Sequence, residues 1–264
     1  MSQTSKFEFE KWRRVSREHF SRITPHYDNG REFEGKQRWL EEIKRRVSLE
    51  DGDWALDAGS GTGLLSVKFG EQIKGRVLGL DPSTAMLSQA RQRQKPGNVF
   101  WAQGVSESLP LAGESLKAVF LSQVWHHLQS PEEAAREFFR CLKSGGGLFI
   151  KTYSHDQIRA RWDLQVVFPE LMPFMLGVYP DKGDFELLLK QVGFRSVTFL
   201  SSQRENFIRP SQLLFFLREK VWSMFSFLSP QEAAAGEARL KALAADGDAP
   251  APYPEFELLV IALK

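Results

Sequence analysis

The sequence has very little cysteine: Cys141 is the single one among 264 residues. A lone cysteine cannot form a disulfide within the chain, and it excludes the zinc sites that need two or four cysteines. Residues 1–20 mix charged and apolar side chains and lack the apolar stretch of a secretory signal peptide. We therefore expect a cytoplasmic protein of a reducing compartment, without a metal site.

The sequence also lacks long apolar runs and an excess of charge of one sign. No apolar run approaches the roughly 20 residues that a helix needs to cross a bilayer, so we expect no membrane span. The 35 basic and 33 acidic side chains leave a net charge of +2. Nucleic-acid-binding proteins usually have a clustered basic excess. Nucleic acid is therefore an unlikely partner by composition, although an RNA substrate stays open.

Short apolar segments alternate with amphipathic segments between residues 53 and 153. The apolar segments predict five strands, over 54–56, 76–80, 98–102, 117–121 and 147–151. The segments between them predict helices over 64–72, 83–94 and 131–142, the last one stopped by the glycines 145–147. Strands linked by helices in this way favour an α/β fold with a mostly parallel sheet and helices on both faces.

The flanking segments have a different pattern and define three parts of the chain. Residues 1–50 contain two helical patterns, 10–20 and 33–47, and form an expected N-terminal cap or lid. Residues 51–153 are the alternating core. Residues 154–264 are expected to supply inserted cap helices and the last strands of the same domain. Their predicted elements are helices over 155–168, 185–192, 210–225 and 230–245, strands over 195–200 and 256–263, and a loop-rich stretch around Pro169, Pro173 and Pro180.

A glycine-rich loop follows the first predicted strand, with the sequence Asp57-Ala58-Gly59-Ser60-Gly61-Thr62-Gly63. Glycines allow a tight turn and a close approach of ligand to backbone, and the helix N-terminus behind them favours an anionic group. A turn without a ligand is the plainest interpretation. A dinucleotide fingerprint is another, but it requires a small residue at the position of Leu64.

An acid, Asp81, ends the second predicted strand. An acid at this point is well placed to accept hydrogen bonds from both ribose hydroxyls of a nucleoside. In the sequence Asp81-Pro82-Ser83 it can also cap the next helix, and the two roles are compatible. Met86, one turn further, is placed to lie against an adenine face, although methionine at this spacing is more often in the core.

Five sequence blocks, in this order, resemble the class I S-adenosylmethionine-dependent methyltransferases. They read LDAGSGTG (56–63), GLDPSTAML (79–87), ESLPL (107–111), WHHL (125–128) and EFFRCLKSGG (137–146). The chain is most similar to the small-molecule branch that includes the ubiquinone/menaquinone-biosynthesis methyltransferases. The resemblance implies a Rossmann-like fold with a seven-stranded sheet and a helical cap, S-adenosyl-L-methionine as cofactor, and methyl transfer to a small molecule.

The resemblance also implies roles for individual residues. Asp57, Gly59 and Gly61 would face the methionine part of the cofactor, and Ser60 and Gly63 would shape the loop.

On the nucleoside side, the resemblance implies that Asp81 holds the ribose and that Met86 flanks the adenine. In the third block, Gly104-Val105-Ser106 replaces the usual Gly-Asp-Ala. The acid that commonly bonds the adenine amino group is therefore a valine here. Adenine would be read by the backbone near Ser106 or by its hydroxyl.

Two adjacent histidines, His126 and His127, follow the fourth predicted strand, where this family places the reactive end of the cofactor. In some related O-methyltransferases a histidine of this block is the general base. The alternative is that the pair packs where the chain enters the next helix and that orientation alone accounts for catalysis. Gln123 belongs to the same turn and is expected among the cofactor-binding residues. Tyr27 would be part of a lid over the cofactor, unless Asp28-Asn29-Gly30 is a plain turn.

Aromatic side chains concentrate in the C-terminal part: Phe207, Phe215, Phe216, Trp222, Phe225 and Phe227. They indicate either a core or a pocket for a hydrophobic or aromatic small molecule. We therefore expect an S-adenosylmethionine-dependent methyltransferase with such a substrate. A tRNA methyltransferase, a non-catalytic cofactor-binding protein and, as the weakest, an NAD-linked oxidoreductase are the alternatives. The acceptor atom and the oligomeric state stay open.

Overall fold

The computed structural model describes Asp28, residues 38–245 and residues 247–264. The predicted helix over 10–20 lies outside these residues. The chain forms two compact units. The sheet unit contains Asp28, residues 38–152, Lys182–Leu200 and Leu259–Lys264. The helical unit contains Tyr153–Asp181 and the described part of Ser201–Leu258.

Strands in the described residues are numbered in chain order. They are β1 (Trp54–Ala58), β2 (Arg76–Asp81), β3 (Val99–Gln103), β4 (Leu116–Ser122), β5 (Leu142–Thr152), β6 (Ser196–Arg204), β7 (Phe207–Ile208), β8 (Ala251–Pro252) and β9 (Glu255–Leu263). β1 and β4 are buried along most of their length. This burial explains why their sequences are mostly apolar rather than alternating.

Seven strands form one sheet in the order β3-β2-β1-β4-β5-β9-β6. The pairs β1–β2, β2–β3, β1–β4 and β4–β5 are parallel. From β1 the chain passes outward through β2 and β3 and then continues on the other side of β1 with β4 and β5. The strand order therefore reverses between β1 and β4, which is where open α/β sheets bind ligands at the carboxyl ends of their strands. The predicted mostly parallel, seven-stranded α/β sheet is confirmed.

The α-helices of the described residues follow most of the predicted positions. They are α1 (Arg38–Arg46), α2 (Leu64–Gly70), α3 (Thr84–Gln92), α4 (Pro131–Cys141), α5 (His155–Arg159), α6 (Leu171–Val178), α7 (Lys182–Val192), α8 (Pro210–Arg218) and α9 (Pro230–Ala245). The Ser83 side chain caps α3 by accepting a hydrogen bond from the Met86 N–H. Ser130 caps α4 in the same way, and Pro131 is its first residue. Such caps satisfy N–H groups that a helix leaves unpaired.

Helix α1 lies in the core of the sheet unit. Its Trp39, Leu40 and Ile43 are buried, and the Trp39 ring meets the Phe120 ring of β4 edge to face at 5.8 Å. The prediction of a cap over all of residues 1–50 is therefore wrong for residues 39–49. Burial of the apolar stripe of this helix against the sheet is the physical reason.

Two further predictions need correction in the central part of the chain. The glycines 145–147 do not stop a helix: α4 ends at Cys141, and these glycines lie within β5, where the β4–β5 register shifts. The stretch around Pro173 is not a loop but helix α6. Proline is tolerated there because the first turn of a helix does not need its N–H.

The helical unit has its own apolar core, rich in aromatic rings. Phe225 is buried and contacts Phe168 at 5.1 Å between ring centroids, and it stacks on Trp222 at 5.5 Å. Phe207 and Phe215, in contrast, are more than half exposed. The predicted helices over 155–168 and 210–225 are each interrupted in this unit. Among the described residues, no helix combines the length and apolarity that crossing a bilayer requires.

Candidate cofactor and active site

Hydrogen bonds fasten the glycine-rich loop after β1 to the carboxyl end of β2. The backbone N–H groups of Gly59 and Ser60 both donate to the carbonyl of Leu80, at 2.8 and 3.0 Å. The Gly61 N–H donates to Oδ2 of Asp81 at 2.8 Å. The structure thus brings together four residues that the sequence predicted as parts of one site.

Two glycines of this loop have backbone conformations and surroundings that no other residue fits. Gly59 and Gly63 both have φ of +78°, in the left-handed region. A Cβ atom on Gly59 would lie 2.6 Å from Val124 Cγ2, and one on Gly63 would lie 2.3 Å from Trp101 Cη2. The glycines therefore serve the packing of the loop against its neighbours as well as any ligand approach.

Asp57, at the end of β1, is 1% exposed. The Ser66 hydroxyl of α2 donates to its Oδ2 at 2.5 Å. Burial raises the pKa of Asp57 to about 7, the negative charge of Asp81 adds to the rise, and the bonds from Ser66 oppose it. Near neutral pH this carboxyl is therefore divided between its two protonation states. The Ser66 partner was missed from the sequence, where only its spacing on α2 could have indicated it.

Asp81 lies in the turn before α3, but the residue that caps this helix is Ser83, so the predicted capping role of Asp81 is wrong. Its Oδ1 accepts from the Ser83 N–H at 2.8 Å, while Oδ2 accepts from Gly61. Burial raises the pKa of Asp81, against the two backbone hydrogen bonds. Each carboxylate oxygen can accept more than one hydrogen bond, so both keep capacity for the hydroxyls of a ribose. The Gly104 N–H reaches the Asp81 carbonyl at 3.3 Å and brings the loop after β3 to the same edge.

The three residues predicted near the adenine differ in exposure. Met86 is 2% exposed, so its side chain belongs to the packed interior of the sheet unit. Val105 is 42% exposed, and Ser106 is 6% exposed. An exposed valine beside a buried hydroxyl offers an apolar surface and a polar group in adjacent positions.

The turn after β4 carries Gln123 and the two histidines. Gln123 has a φ of +58°, and its N–H donates to the Lys151 carbonyl at 2.9 Å. The rings of His126 and His127 lie 4.0 Å apart. Burial lowers the pKa of His126 well below its usual range, and His127 lowers it further. The His126 imidazole is therefore neutral at pH 7, able to accept a proton but weakly basic.

Tyr27 lies outside the described residues, but its neighbour Asp28 contacts the loop. Asp28 Oδ1 accepts from the Thr62 hydroxyl at 2.7 Å, and Oδ2 pairs with Nη2 of Arg93. Nε of Arg93 donates to the Thr62 carbonyl at 3.1 Å. We call these three residues the clasp. Asp28 and Arg93 also line an open cleft of about 290 Å³ with Gln89 and Gln92. No sequence pattern indicated the clasp, because Arg93 lies 65 residues from Asp28.

The loop fits the polar part of an S-adenosylmethionine molecule. The Ser60 hydroxyl is buried and has no hydrogen-bond partner among the described residues. A buried polar group without a partner is costly, so such a group points to a ligand atom that completes its bonding. Asp81, which accepts from the N–H of the next loop residue, Gly61, supplies the acceptor that a ribose needs. No group of side chains within the described ranges could hold a metal ion.

Comparison with known proteins identifies relatives of this arrangement. A family of methyltransferase domains matches residues 56–150. The chain is 33% identical over 203 residues to a 2-phytyl-1,4-naphtoquinone methyltransferase of Thermosynechococcus vestitus. The aligned region covers 67% of this chain and 89% of that protein. The chain is also 29% identical over 201 residues to a ubiquinone/menaquinone biosynthesis C-methyltransferase of Syntrophotalea carbinolica, covering 67% of this chain and 85% of that one.

A solved structure shares the fold. It is a protein of Anabaena variabilis described as a methyltransferase from an antibiotic biosynthesis pathway, with a TM-score of 0.65 and 20% identity, covering 86% of this chain and 97% of that chain. The switch-point loop, the acid that ends β2 and the relatives agree with the resemblance seen in the motifs. The chain therefore belongs to the class I S-adenosylmethionine-dependent methyltransferases, and it is an enzyme with S-adenosyl-L-methionine as its cofactor.

Proposed function

We propose that this methyltransferase acts in the cytoplasm on a small, hydrophobic aromatic molecule of the hydroquinone class. One observation carries the proposal: the relative with 33% identity, matched over 89% of its length, is a naphtoquinone methyltransferase. Two aromatic rings of the helical unit, Phe207 and Phe215, are more than half exposed and support it, because aromatic and apolar side chains line most sites for molecules of this kind.

We assign the cofactor-binding roles to the residues that meet at the switch point. Asp81 accepts hydrogen bonds from the ribose hydroxyls, and Ser60 and Gly61 contact the methionine part. Val105 and Ser106 lie on the adenine side. The cofactor supplies a methyl group that its sulfonium already activates, so the protein has to exclude water and to orient the acceptor.

His126 is our candidate for the residue that accepts a proton from the substrate. Its neutral imidazole can accept one from a hydroxyl acceptor, and its low pKa limits how much this can contribute. If the acceptor is a carbon or an acidic phenol, orientation is enough and His126 has only a packing role.

The cofactor assignment is tested by calorimetry with S-adenosylhomocysteine. We expect Asp81→Ala to weaken binding by about 1–3 kcal/mol, the cost of leaving buried polar groups without partners. Asp81→Asn keeps one oxygen acceptor and should fall between the wild type and Asp81→Ala. Asp51→Ala, which changes an exposed acid of the same unit, is the matched control. Equal affinity in all four proteins would refute the role of Asp81.

The substrate class is tested by offering 1,4-naphthohydroquinone under argon and bulk tRNA in parallel. We expect formation of S-adenosylhomocysteine and a methylated product only with the hydroquinone. Methylated tRNA, together with no turnover of the hydroquinone, would refute the proposal and favour an RNA methyltransferase. Binding to bulk tRNA that falls steeply with salt would point the same way.

A further inference from the structure

A charged pair is buried inside the otherwise apolar helical unit. Arg161 is 8% exposed and Asp163 is fully buried. Nε of Arg161 donates to Oδ1 of Asp163 at 3.0 Å, and Nη2 donates to Oδ2 at 2.5 Å. Nη2 also donates to the Tyr253 hydroxyl at 3.0 Å, across 92 residues of sequence. None of these residues belongs to the cofactor-binding set in the sheet unit.

One arm of the guanidinium is left open. Nε and Nη2 use their N–H groups on Asp163 and Tyr253, whereas Nη1 has no acceptor among the described residues. A guanidinium is planar, and its N–H groups point in fixed directions. Nη1 is not among the fully buried polar atoms that lack a partner, so its donors are open to an acceptor from solvent or from a ligand.

Aromatic rings surround the same guanidinium. Its Cζ lies 5.9 Å from the ring centroid of Tyr153 and 5.8 Å from those of Trp222 and Tyr253. Burial raises the pKa of Tyr253 well above its usual range, so its hydroxyl stays protonated and neutral. The guanidinium therefore lies among three uncharged aromatic rings, with Asp163 as its counter-ion.

A purely structural role explains only part of this cluster. Arg161 and Asp163 are two residues apart and together fix the turn between α5 and the following π-helical turn, Asp163–Val167. Buried ion pairs of this kind are seldom more stable than apolar residues of the same size. An ion pair between neighbouring residues also does not account for the hydrogen bond to the distant Tyr253 or for the nearby ring of Trp222.

We propose that Arg161, framed by Tyr153, Trp222 and Tyr253, recognises a ring oxygen of the methyl-accepting substrate. The inference rests on the proposed function and narrows it. Asp163 already neutralises the arginine, so the cluster suits a hydroxyl or carbonyl oxygen and not a phosphate or another multiply charged anion. The flat walls suit an aromatic ring that carries this oxygen.

The test compares two probes of the same ring, 1-naphthol and naphthalene, by quenching of protein fluorescence in the full chain. The wild type should bind 1-naphthol about 10-fold to 100-fold more tightly, in the range expected of hydrogen bonds to a charged group. The double variant Arg161→Met/Asp163→Leu replaces the pair with apolar side chains of similar size, which a core tolerates. We expect it to bind the two probes equally while its affinity for S-adenosylhomocysteine is unchanged.

Two further variants separate the oxygen contact from general packing. Arg161→Lys keeps a positive charge opposite Asp163 but removes the planar fork, so the preference for 1-naphthol should fall. This variant decides the question if the double variant does not fold. Trp222→Leu removes one of the aromatic rings beside the guanidinium and should weaken the binding of both probes by the same factor.

A naphthol preference that is equal in the wild type, Arg161→Lys and the double variant would overturn the inference, as would a wild type that binds both probes equally. Failure of the proposed function gives a different result, namely methylation of tRNA without turnover of a hydroquinone. Turnover of the hydroquinone with an unchanged probe ratio would overturn the role of Arg161 alone.

Discussion

Replacing Asp57 by asparagine should remove a pH-dependent destabilisation that the wild-type enzyme carries in the absence of cofactor. The folded protein holds the pKa of this buried carboxyl at about 7. In an unfolded chain the pKa of an aspartate is about 3.9. Because the folded state binds the proton more tightly, the contribution of Asp57 to the free energy of unfolding is greatest below pH ~4 and is lost as the pH rises towards ~7.

The size of the effect follows from the two pKa values. A difference of about three units corresponds to about 4 kcal/mol, lost at about 1.4 kcal/mol per pH unit. Asparagine has nearly the same shape and can still accept the hydrogen bond from Ser66, but it does not ionise. The free energy of unfolding of Asp57→Asn minus that of the wild type should therefore increase by about 4 kcal/mol from pH 4 to pH 8.

The difference between the two proteins is the quantity to measure, because other groups also titrate. His126 has the opposite effect: burial lowers its pKa, so protonation favours the unfolded chain as the pH falls through ~6.5. This contribution is common to both proteins and cancels in the difference. Asp81 is coupled to Asp57 through its charge, so the same substitution in an Asp81→Asn background should show a smaller rise.

Urea unfolding followed by tryptophan fluorescence at several pH values between 4 and 8 would measure this difference. Asp51→Asn, which makes the same change at an exposed acid of the sheet unit, is the matched control. A pH-independent difference for Asp57→Asn would refute the argument, since it would mean that Asp57 ionises in the folded protein as it does in the unfolded chain.

Two more predictions concern the turn after β4 and the clasp. Since burial keeps His126 a weak base, we expect His126→Ala to change turnover by less than about 10-fold and to leave cofactor affinity unchanged. A loss of turnover of roughly 10²–10⁴-fold, together with the loss of one limb of the pH profile, would instead establish His126 as the general base. Arg93→Leu should accelerate limited proteolysis near residue 28 by up to about fivefold, because a partly exposed ion pair contributes at most about 1 kcal/mol. Arg91→Leu, at an exposed arginine of α3, is its control, and equal cleavage of the two variants would argue against the clasp.

The sequence predicted best those features that depend on neighbouring residues. The strands of the core are continuous apolar runs, and the acid-and-glycine loop lies within a single turn, so local pattern was enough to place them. The glycines 145–147 were misjudged because glycine is equally compatible with the end of a helix and with an irregular strand. Helix α1 was assigned to a cap because its amphipathic pattern predicts a buried face but not the surface that covers it.

Contacts between distant residues could not be predicted in the same way. The Ser66–Asp57 bond, the clasp and the Arg161 cluster each join side chains whose polar character alone suggests a solvated surface. Only the fold brings Tyr253 to Arg161 across 92 residues. A single sequence carries no record of such pairings.

This difference explains why the sequence motifs indicate the cofactor but not the substrate. The cofactor-binding residues follow the ends of successive strands, and every α/β sheet with this strand order brings those ends to one edge. The proposed substrate residues come from Tyr153–Asp181 and Ser201–Leu258, two separate segments that fold into one unit. Their arrangement depends on packing that no short motif encodes. If the proposal for Arg161 holds, substrate specificity depends on contacts within the helical unit that no short motif encodes.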